Sequence, residues 1–208
     1  MDLLKIITQS EPRFVRSLVR VTDAATEPVT LAEAQSYLRV DSSDDATEIE
    51  TLITAARQAV EQATGRALIS QTWRVRQSVW PDGAVIELPT SPLISVESVK
   101  YYPASGAGQT TFSSASYHVV TDSEPGLVVL KSDTDWPDIY DRPDAVEVNF
   151  TAGYADAASV PKILRHAVLL LISHLYENRA AVSNGQVTEI PYTVKHLLES
   201  HRVGGWIA

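Results

Sequence analysis

Hydrophobic residues recur at helical spacing towards both ends of this chain and alternate with polar residues in its middle. Within residues 41–66, apolar side chains lie three and four positions apart, which predicts one amphipathic helix. Its apolar stripe consists of Ile49, Leu52, Ile53, Ala56, Val60 and Ala63. Acidic Asp44, Asp45 and Glu48 suit the positive end of the helix dipole, and Gly65 is suited to end the helix.

A much shorter helix precedes it, beginning at Thr30. Thr30 and Glu33 match a capping box, in which a hydroxyl and a carboxylate three residues later satisfy free backbone N–H groups. Leu31, Ala34 and Leu38 share the inner face, so this helix should close over a bundle made by the other helices. For the acidic run at 41–45 we favour helix capping over calcium, because it lacks the glycine and the final glutamate of a calcium loop.

Residues 161–179 form a third helical segment, PKILRHAVLLLISHLYENR, which is apolar nearly all round. A helix of this kind must be covered on several sides, which a packed oligomer achieves more easily than a small monomer. The candidate subunit-interface residues are Val168, Leu169, Leu171, Ile172 and Leu175. A last helix is expected in PYTVKHLLESHR, residues 191–202.

Between residues 68 and 154 the pattern alternates and short runs such as VIEL, YHVV and LVVL are separated by proline and glycine turns. About six antiparallel strands are expected there. The predicted fold class is α+β, a small bundle of about four helices drawn from both ends of the chain, with an inserted antiparallel β module. The predicted division is an N-terminal arm at 1–27, a helical connector domain at 28–67 and 155–203, the β-rich insertion at 68–154, and a C-terminal tail at 204–208.

Composition narrows the range of functions. With 17 basic and 26 acidic residues the formal charge is −9, which disfavours sequence-specific DNA binding but suits a channel through which a duplex slides. The chain has no cysteine, so thiol chemistry, disulfides and cysteine metal sites are excluded. The sequence shows neither a membrane-spanning run nor a secretion signal.

No motif predicts catalysis, a cofactor or a metal. His166 and His174 are eight residues apart, and His196 and His201 five apart, so neither pair has the one-turn spacing of a metal site. The glycine-rich stretch at 105–108 lacks the features of a phosphate loop and predicts a hairpin tip. We therefore expect a protein that is not an enzyme.

The four tryptophans fall into two groups. Trp73, Trp80 and Trp136 lie in or beside strand runs and are expected in the core. Trp206 follows two glycines, so it is either a frayed or back-packed tail residue or an anchor for another protein.

Several segments together resemble the head-tail connector (adaptor) proteins of long-tailed phages and gene transfer agents, in the branch with a β-rich insertion. They include EPVTLAEAQSYLRVD, ATGRALISQTWR, ELPTSPLISVESVKYY, VNFTAGY, LLISHLYENRAAV and IPYTVKHLLESHR, and they span about residues 27–203. The resemblance implies a structural virion protein of the neck, located between capsid and tail and in the host cytoplasm during assembly.

The same resemblance implies partners. These are the portal protein, a tail-side stopper or terminator, and further copies of the chain in a ring, commonly a dodecamer, through which double-stranded DNA passes without specific binding. It also implies portal contact by the C-terminal helix, which we extend to two tail residues. The candidate docking residues are Tyr192, Lys195, His196, Leu198, Glu199, Arg202, Trp206 and Ile207.

Two alternatives remain at this stage. Another neck protein, such as a head-completion or tail-terminator subunit, is the nearer one. A hydrolase acting on DNA or cell wall is the more distant one.

Overall fold

The computed structural model describes residues 16–40, 45–178 and 192–204. Its helices are α1 (Leu31–Leu38), α2 (Ala46–Thr64), α3 (Lys162–Glu177) and α4 (Tyr192–Glu199). Its strands are β1 (Arg16–Thr22), β2 (Gln71–Gln77), β3 (Val85–Leu88), β4 (Leu93–Tyr101), β5 (Thr110–Phe112), β6 (Tyr117–Val120), β7 (Gly126–Leu130) and β8 (Val146–Ala152). The fold is α+β, as predicted.

The strands form two antiparallel sheets. The larger has the order β1-β2-β8-β4-β5 and the smaller the order β3-β7-β6. Alternate residues of both sheets point inward and form one apolar core, in which Val75, Val148 and Phe150 of the large sheet join Ile86 and Val128 of the small one. The alternation of apolar and polar positions therefore corresponds to two sheets that each cover one face of a shared core.

A second core lies among the helices. The inner residues of α1 and α2 meet the buried side chains Leu164, Val168, Leu171 and Ile172 of α3. Helix α3 packs against all three other helices, which explains why it is apolar on so many sides. Most of the apolar surface that we predicted to need an oligomer is thus covered within one chain.

Between α2 and α3 the chain leaves the helical core and returns to it at adjacent points. The Ser70 backbone N–H donates to the Tyr154 carbonyl at 2.9 Å, so the entry into β2 lies beside the exit from β8. Gly153 has a φ of +127°, and an added Cβ there would lie 2.3 Å from the Ile69 carbonyl oxygen. Only glycine fits this backbone conformation and this close approach.

Local predictions differ in outcome. The capping box is confirmed, with the Glu33 N–H donating to Thr30 Oγ1 at 3.2 Å, and Gly65 ends α2 at a φ of +70°. Asp45 of the acidic run occupies the N-cap position of α2, but its carboxylate makes no cap hydrogen bond and accepts one from the Tyr176 hydroxyl at 2.6 Å. The rest of that run lies outside the described residues.

The strand estimate was one too low. Seven strands lie between residues 68 and 154, and the extra one is β5, only three residues long. The predicted arm contains β1, which pairs with β2 along its length.

Candidate assembly surfaces

Helix α4 has a buried and an exposed side. Val194 and Leu198 enter the helical core, 1% and 3% exposed. The opposite side carries Tyr192, 84% exposed, together with Lys195 and His196. This spacing of three and four residues places the exposed side chains on one outward stripe, available to a partner.

The predicted docking residues are therefore only partly brought together. Those with exposed side chains are Tyr192, Lys195, His196, Glu199 and Arg202. Leu198 lies in the core, and Trp206 and Ile207 lie outside the described residues. His196 Nδ1 is 3.2 Å from a Glu199 carboxylate oxygen.

Residues after α4 are fixed to the end of α2. The Val203 N–H donates to the Thr64 carbonyl at 2.8 Å, and Arg66 Nε donates to the His201 carbonyl at 2.6 Å. Arg66 also binds Glu124 through two hydrogen bonds. Arg66 lowers the pKa of the Glu124 carboxyl through this hydrogen bonding, so the ion pair persists at neutral pH.

The predicted subunit-interface residues of α3 also divide in two. Val168, Leu171 and Ile172 are at most 3% exposed within the single chain. Leu169 and Leu175 are partly exposed, and Leu169 borders a surface groove with Tyr37 of α1. The role of this set at a subunit interface stays a prediction, and on the surface it can involve only these two leucines.

A buried ionic cluster, which sequence reasoning missed, joins the N-terminal strand to α2. The Arg57 side chain is 2% exposed and contacts Glu27 at 2.8 Å, Glu61 at 3.0 Å and Asp23 at 3.2 Å. Arg20 lies 3.6 Å from the same Glu61. The cluster therefore links the segment around β1 to the helical core.

Protonation in this cluster reflects burial and pairing. Burial raises the pKa of Glu61, although the Leu68 N–H and Arg57 act in the opposite direction. Burial lowers the pKa of Arg57, but Glu61, Glu27 and Asp23 together raise it above its ordinary value. Arg57 is thus a buried side chain that stays positively charged, and these carboxylates offset the cost of burying its charge.

The outer face of the large sheet carries a polar network. Arg74 Nε donates to Asn149 and Arg76 Nε to Glu147, each at 2.9 Å. Asn149 also donates to Ser98 Oγ at 3.2 Å, so side chains of three adjacent strands are connected. Burial would raise the pKa of Glu147, but hydrogen bonds from Asn149 and Arg76 lower it, so it stays ionised between the two arginines.

The tryptophans differ in their hydrogen bonding. Trp80 and Trp136 stack with ring centroids 4.4 Å apart and donate to the carbonyls of Pro137 and Gly83. Both pack against the β core, as does Trp73, but all three are half-buried at its edge and not enclosed within it as predicted. The buried indole N–H of Trp73 has no hydrogen-bond partner among the described residues.

The described residues of the chain are 16–40, 45–178 and 192–204. They contain no group of three or more His, Cys, Asp or Glu residues positioned to hold a metal ion. No helix in them is long and apolar enough to cross a membrane.

The family model for the head completion protein matches residues 27–203, well over half of the chain. The chain belongs to the head completion protein family. The matched range contains α1–α4 and β2–β8 and excludes β1. The comparison with curated proteins found no significant match to this chain.

Solved structures similar to this chain come from gene transfer agent (GTA) particles. A chain from the neck of the empty GTA particle, with C6 symmetry, has a TM-score of 0.73 and 27% identity, covering 92% of this chain and 97% of that one. A chain from the native GTA virion has a TM-score of 0.72 and 26% identity, covering 91% and 97%. A chain from the neck of the native particle, with C12 symmetry, matches in fold with a TM-score of 0.71 at 24% identity, covering 92% and 97%.

Proposed function

We propose that this chain is a structural subunit of the virion neck, a connector between the DNA-filled capsid and the tail. The observation that supports it most is the similarity to the GTA neck chain, which extends over nearly the full length of both chains. The proposed role requires binding surfaces and no catalytic residues. It places the protein in the virion, and in the host cytoplasm during assembly.

Copies of the chain form a ring in this proposal, with a dodecamer as the expected size. Support comes from the similar chain in the neck of the empty GTA particle, which is computed with C6 symmetry, since subunits related by rotational symmetry form a ring. Leu169 and Leu175 are the α3 residues that a neighbouring copy can reach. Because each copy carries a formal charge of −9, double-stranded DNA passes through the ring without specific binding.

The exposed stripe of α4 is the proposed contact with the portal protein. It carries an exposed aromatic ring at Tyr192, a residue type enriched at protein interfaces, beside Lys195 and Glu199, whose charged side chains suit the polar rim of such an interface. The buried side of the same helix fixes the orientation of the stripe. The tail-side partner is a stopper or terminator protein.

The family description also supports the nearer alternative, a head-completion subunit. Both proposals place the chain at the neck, and they differ in whether the portal is its direct partner. A binding experiment with isolated portal rings therefore separates them.

The first experiment mixes the purified chain with portal rings of the same particle and measures the mass of the complex by native mass spectrometry and electron microscopy. A stacked second ring on the portal is the expected result. Absence of any complex, while the chain still joins complete capsids, would favour a head-completion role on another partner.

Matched variants localise the contact. Tyr192→Asp and Tyr140→Asp make the same change at two exposed tyrosines, 84% and 51% exposed, on α4 and in the β7–β8 loop. Tyr192→Asp should abolish portal binding while Tyr140→Asp preserves it. Equal binding by both would exclude the α4 stripe.

The ring contact has its own pair of variants. Leu169→Asp lies at a partly exposed site and should reduce ring formation while leaving the subunit folded. Leu171→Asp places a charge in the core and should unfold the subunit, as measured by circular dichroism. A folded Leu169→Asp variant that still forms rings would remove Leu169 from the interface.

A further inference from the structure

Four strands form the edges of the two sheets, β1 and β5 in the large sheet and β3 and β6 in the small one. Strand β1 is the longest of them, with seven residues, whereas β3 and β6 have four each and β5 has three. An edge strand can pair with another chain unless it is very short or carries proline or lysine. Strand β1 (RSLVRVT) contains neither residue, so it is the edge best suited to pairing.

The edges lie on opposite sides of the β module. On one side β1 lies beside β3, because Arg16 Nη2 donates to the Glu87 carbonyl. On the other side β5 lies beside β6, because the Phe112 and Tyr117 rings stack with centroids 6.0 Å apart. Strands β1 and β5 end the large sheet about 19 Å apart at the usual strand spacing. Each copy therefore presents β1 on one side and β6 on the far side.

Both of these edges carry exposed valines. Val19 lies opposite Arg74 on the outer face of the large sheet and is 52% exposed. Val119 lies opposite Val128 on the inner side of the small sheet, yet it is 38% exposed whereas Val128 is fully buried. Among the described residues β1 pairs only with β2, and β6 only with β7. A strand added at either edge would therefore gain backbone hydrogen bonds and cover apolar surface.

We propose that β6 of one copy pairs with β1 of the next copy, an inference that rests on the ring of the proposed function. A ring requires a contact that uses a different surface on each of the two neighbours, and two edges on opposite sides of one module meet this requirement. The small sheet of each copy then continues into the large sheet of its neighbour.

The orientation of the valines supports this pairing. Successive copies in a ring differ by a modest rotation, and the two sheets of one copy face each other. The inner side of one small sheet therefore continues into the outer side of the neighbouring large sheet. Val119 and the neighbour's Val19 then lie on the same face of one continuous sheet, where cross-strand side chains contact each other.

The first experiment places single cysteines in a chain that has none. Val119→Cys is mixed with Ser17→Cys, Val19→Cys or Val21→Cys, and each mixture is assembled on portal rings and mildly oxidised. Mass spectrometry under denaturing conditions then detects disulfide-linked dimers. At least one mixture should give them, because opposed residues on paired strands lie within the Cα separation of about 7 Å that a disulfide tolerates.

Two controls accompany this experiment. Each variant alone should give no dimers, because a head-to-tail contact does not bring the same residue of two copies together. Val19→Cys mixed with Thr111→Cys tests β5, the other edge on the far side, and should also give none.

The second experiment compares one substitution at two valines of the small sheet. Val119 and Val85 are each 38% exposed, but Val85 belongs to β3, whose edge the proposed pairing does not use. Val119→Lys should lower the yield of rings on the portal several-fold, because an edge lysine opposes strand pairing. Val85→Lys should leave the yield unchanged. Circular dichroism of both isolated subunits establishes that they are folded.

Each outcome decides the proposal. Rings with a disulfide between Val119→Cys and a β1 cysteine, together with the selective effect of Val119→Lys, support it. Rings without such a disulfide, dimers from a single variant, a disulfide from Val19→Cys to Thr111→Cys, or equal yields for the two lysine variants would overturn the pairing and leave the neck role intact. Absence of any ring on the portal would contradict the proposed function itself, and the pairing with it.

Discussion

Replacing Arg57 by methionine removes the one cation at the centre of the buried ionic cluster. The variant keeps a long apolar side chain, so packing changes little, but Glu61 loses its nearest positive partner at 3.0 Å. Glu61 retains Arg20 at 3.6 Å and hydrogen bonds from the Leu68 N–H and the Gln71 amide. Breaking a buried pair from one side costs about 3–5 kcal/mol, and these remaining partners favour the lower end.

The contribution of the other two carboxylates is smaller. Glu27 and Asp23 are 29% and 47% exposed, so water screens much of their interaction with Arg57. We therefore expect the free energy of unfolding to fall by about 3 kcal/mol, which lowers the urea midpoint by roughly 1–3 M at the slopes usual for small proteins. Arg74→Met is the matched control, at a 34% exposed site, and should cost less than about 1 kcal/mol.

The pH dependence gives a second measurement. A carboxyl with a raised pKa in the folded state binds protons more readily than in the unfolded state, so its contribution to stability is present at low pH and is lost as pH rises through the folded pKa. Burial raises the pKa of Glu61, and removing Arg57 should raise it further. The free energy of unfolding of Arg57→Met should therefore approach that of the wild type as pH falls from 7 towards 5.

Urea unfolding followed by circular dichroism at several pH values tests both parts. If Arg57→Met lowers the free energy of unfolding no more than Arg74→Met does, the claim that Arg57 supports a buried charge is refuted. A difference that stays constant or widens on acidification would refute the assignment of the penalty to Glu61.

Three further variants test other features. Gly153→Ala should destabilise the chain by several kcal/mol, because its Cβ would overlap backbone, whereas Gly108→Ala has open space and should not; thermal melting compares them. Thr30→Ala should cost about 1 kcal/mol in urea unfolding by removing the α1 cap. Arg66→Gln should accelerate hydrogen exchange at the Val203 amide, since its anchor at 201 is weakened; unchanged exchange would contradict this.

Local sequence signals predicted the helices well because their causes are local. A capping box lies within four residues, and the apolar stripe of α2 repeats within one turn, so both are visible without tertiary information. Strand β5 was missed because three residues with one half-buried side chain, Phe112, carry almost no alternation. The formation of such a short strand depends on its antiparallel pairing with β4, which the sequence pattern does not show.

The ionic cluster could not be predicted for a different reason. Arg57 and Glu61 lie beside the apolar stripe of α2 and look like an exposed i, i+4 pair. They are buried because residues about thirty positions earlier, including Glu27, fold over them. The same limit applies to α3, where sequence shows how much apolar surface exists but not that α1, α2 and α4 cover it.

The residues of the candidate docking stripe on α4 could be predicted only in part. A family resemblance selected the whole of α4, but only the fold distinguishes Leu198, which is buried, from Tyr192, which is exposed. The helix is long enough for one apolar side, and its packing against α2 and α3 decides which side that is.

The side-by-side crossing at Ser70 and Tyr154 has an evolutionary consequence. Because the polypeptide from β2 to β8 begins and ends at adjacent points, loops at the distant end of the sheets can lengthen, shorten or be exchanged without altering the spacing of the helices. Relatives that must fit different tails should therefore vary most in the loops around residues 103–109 and 131–145. The helical half should keep a common shape across those relatives.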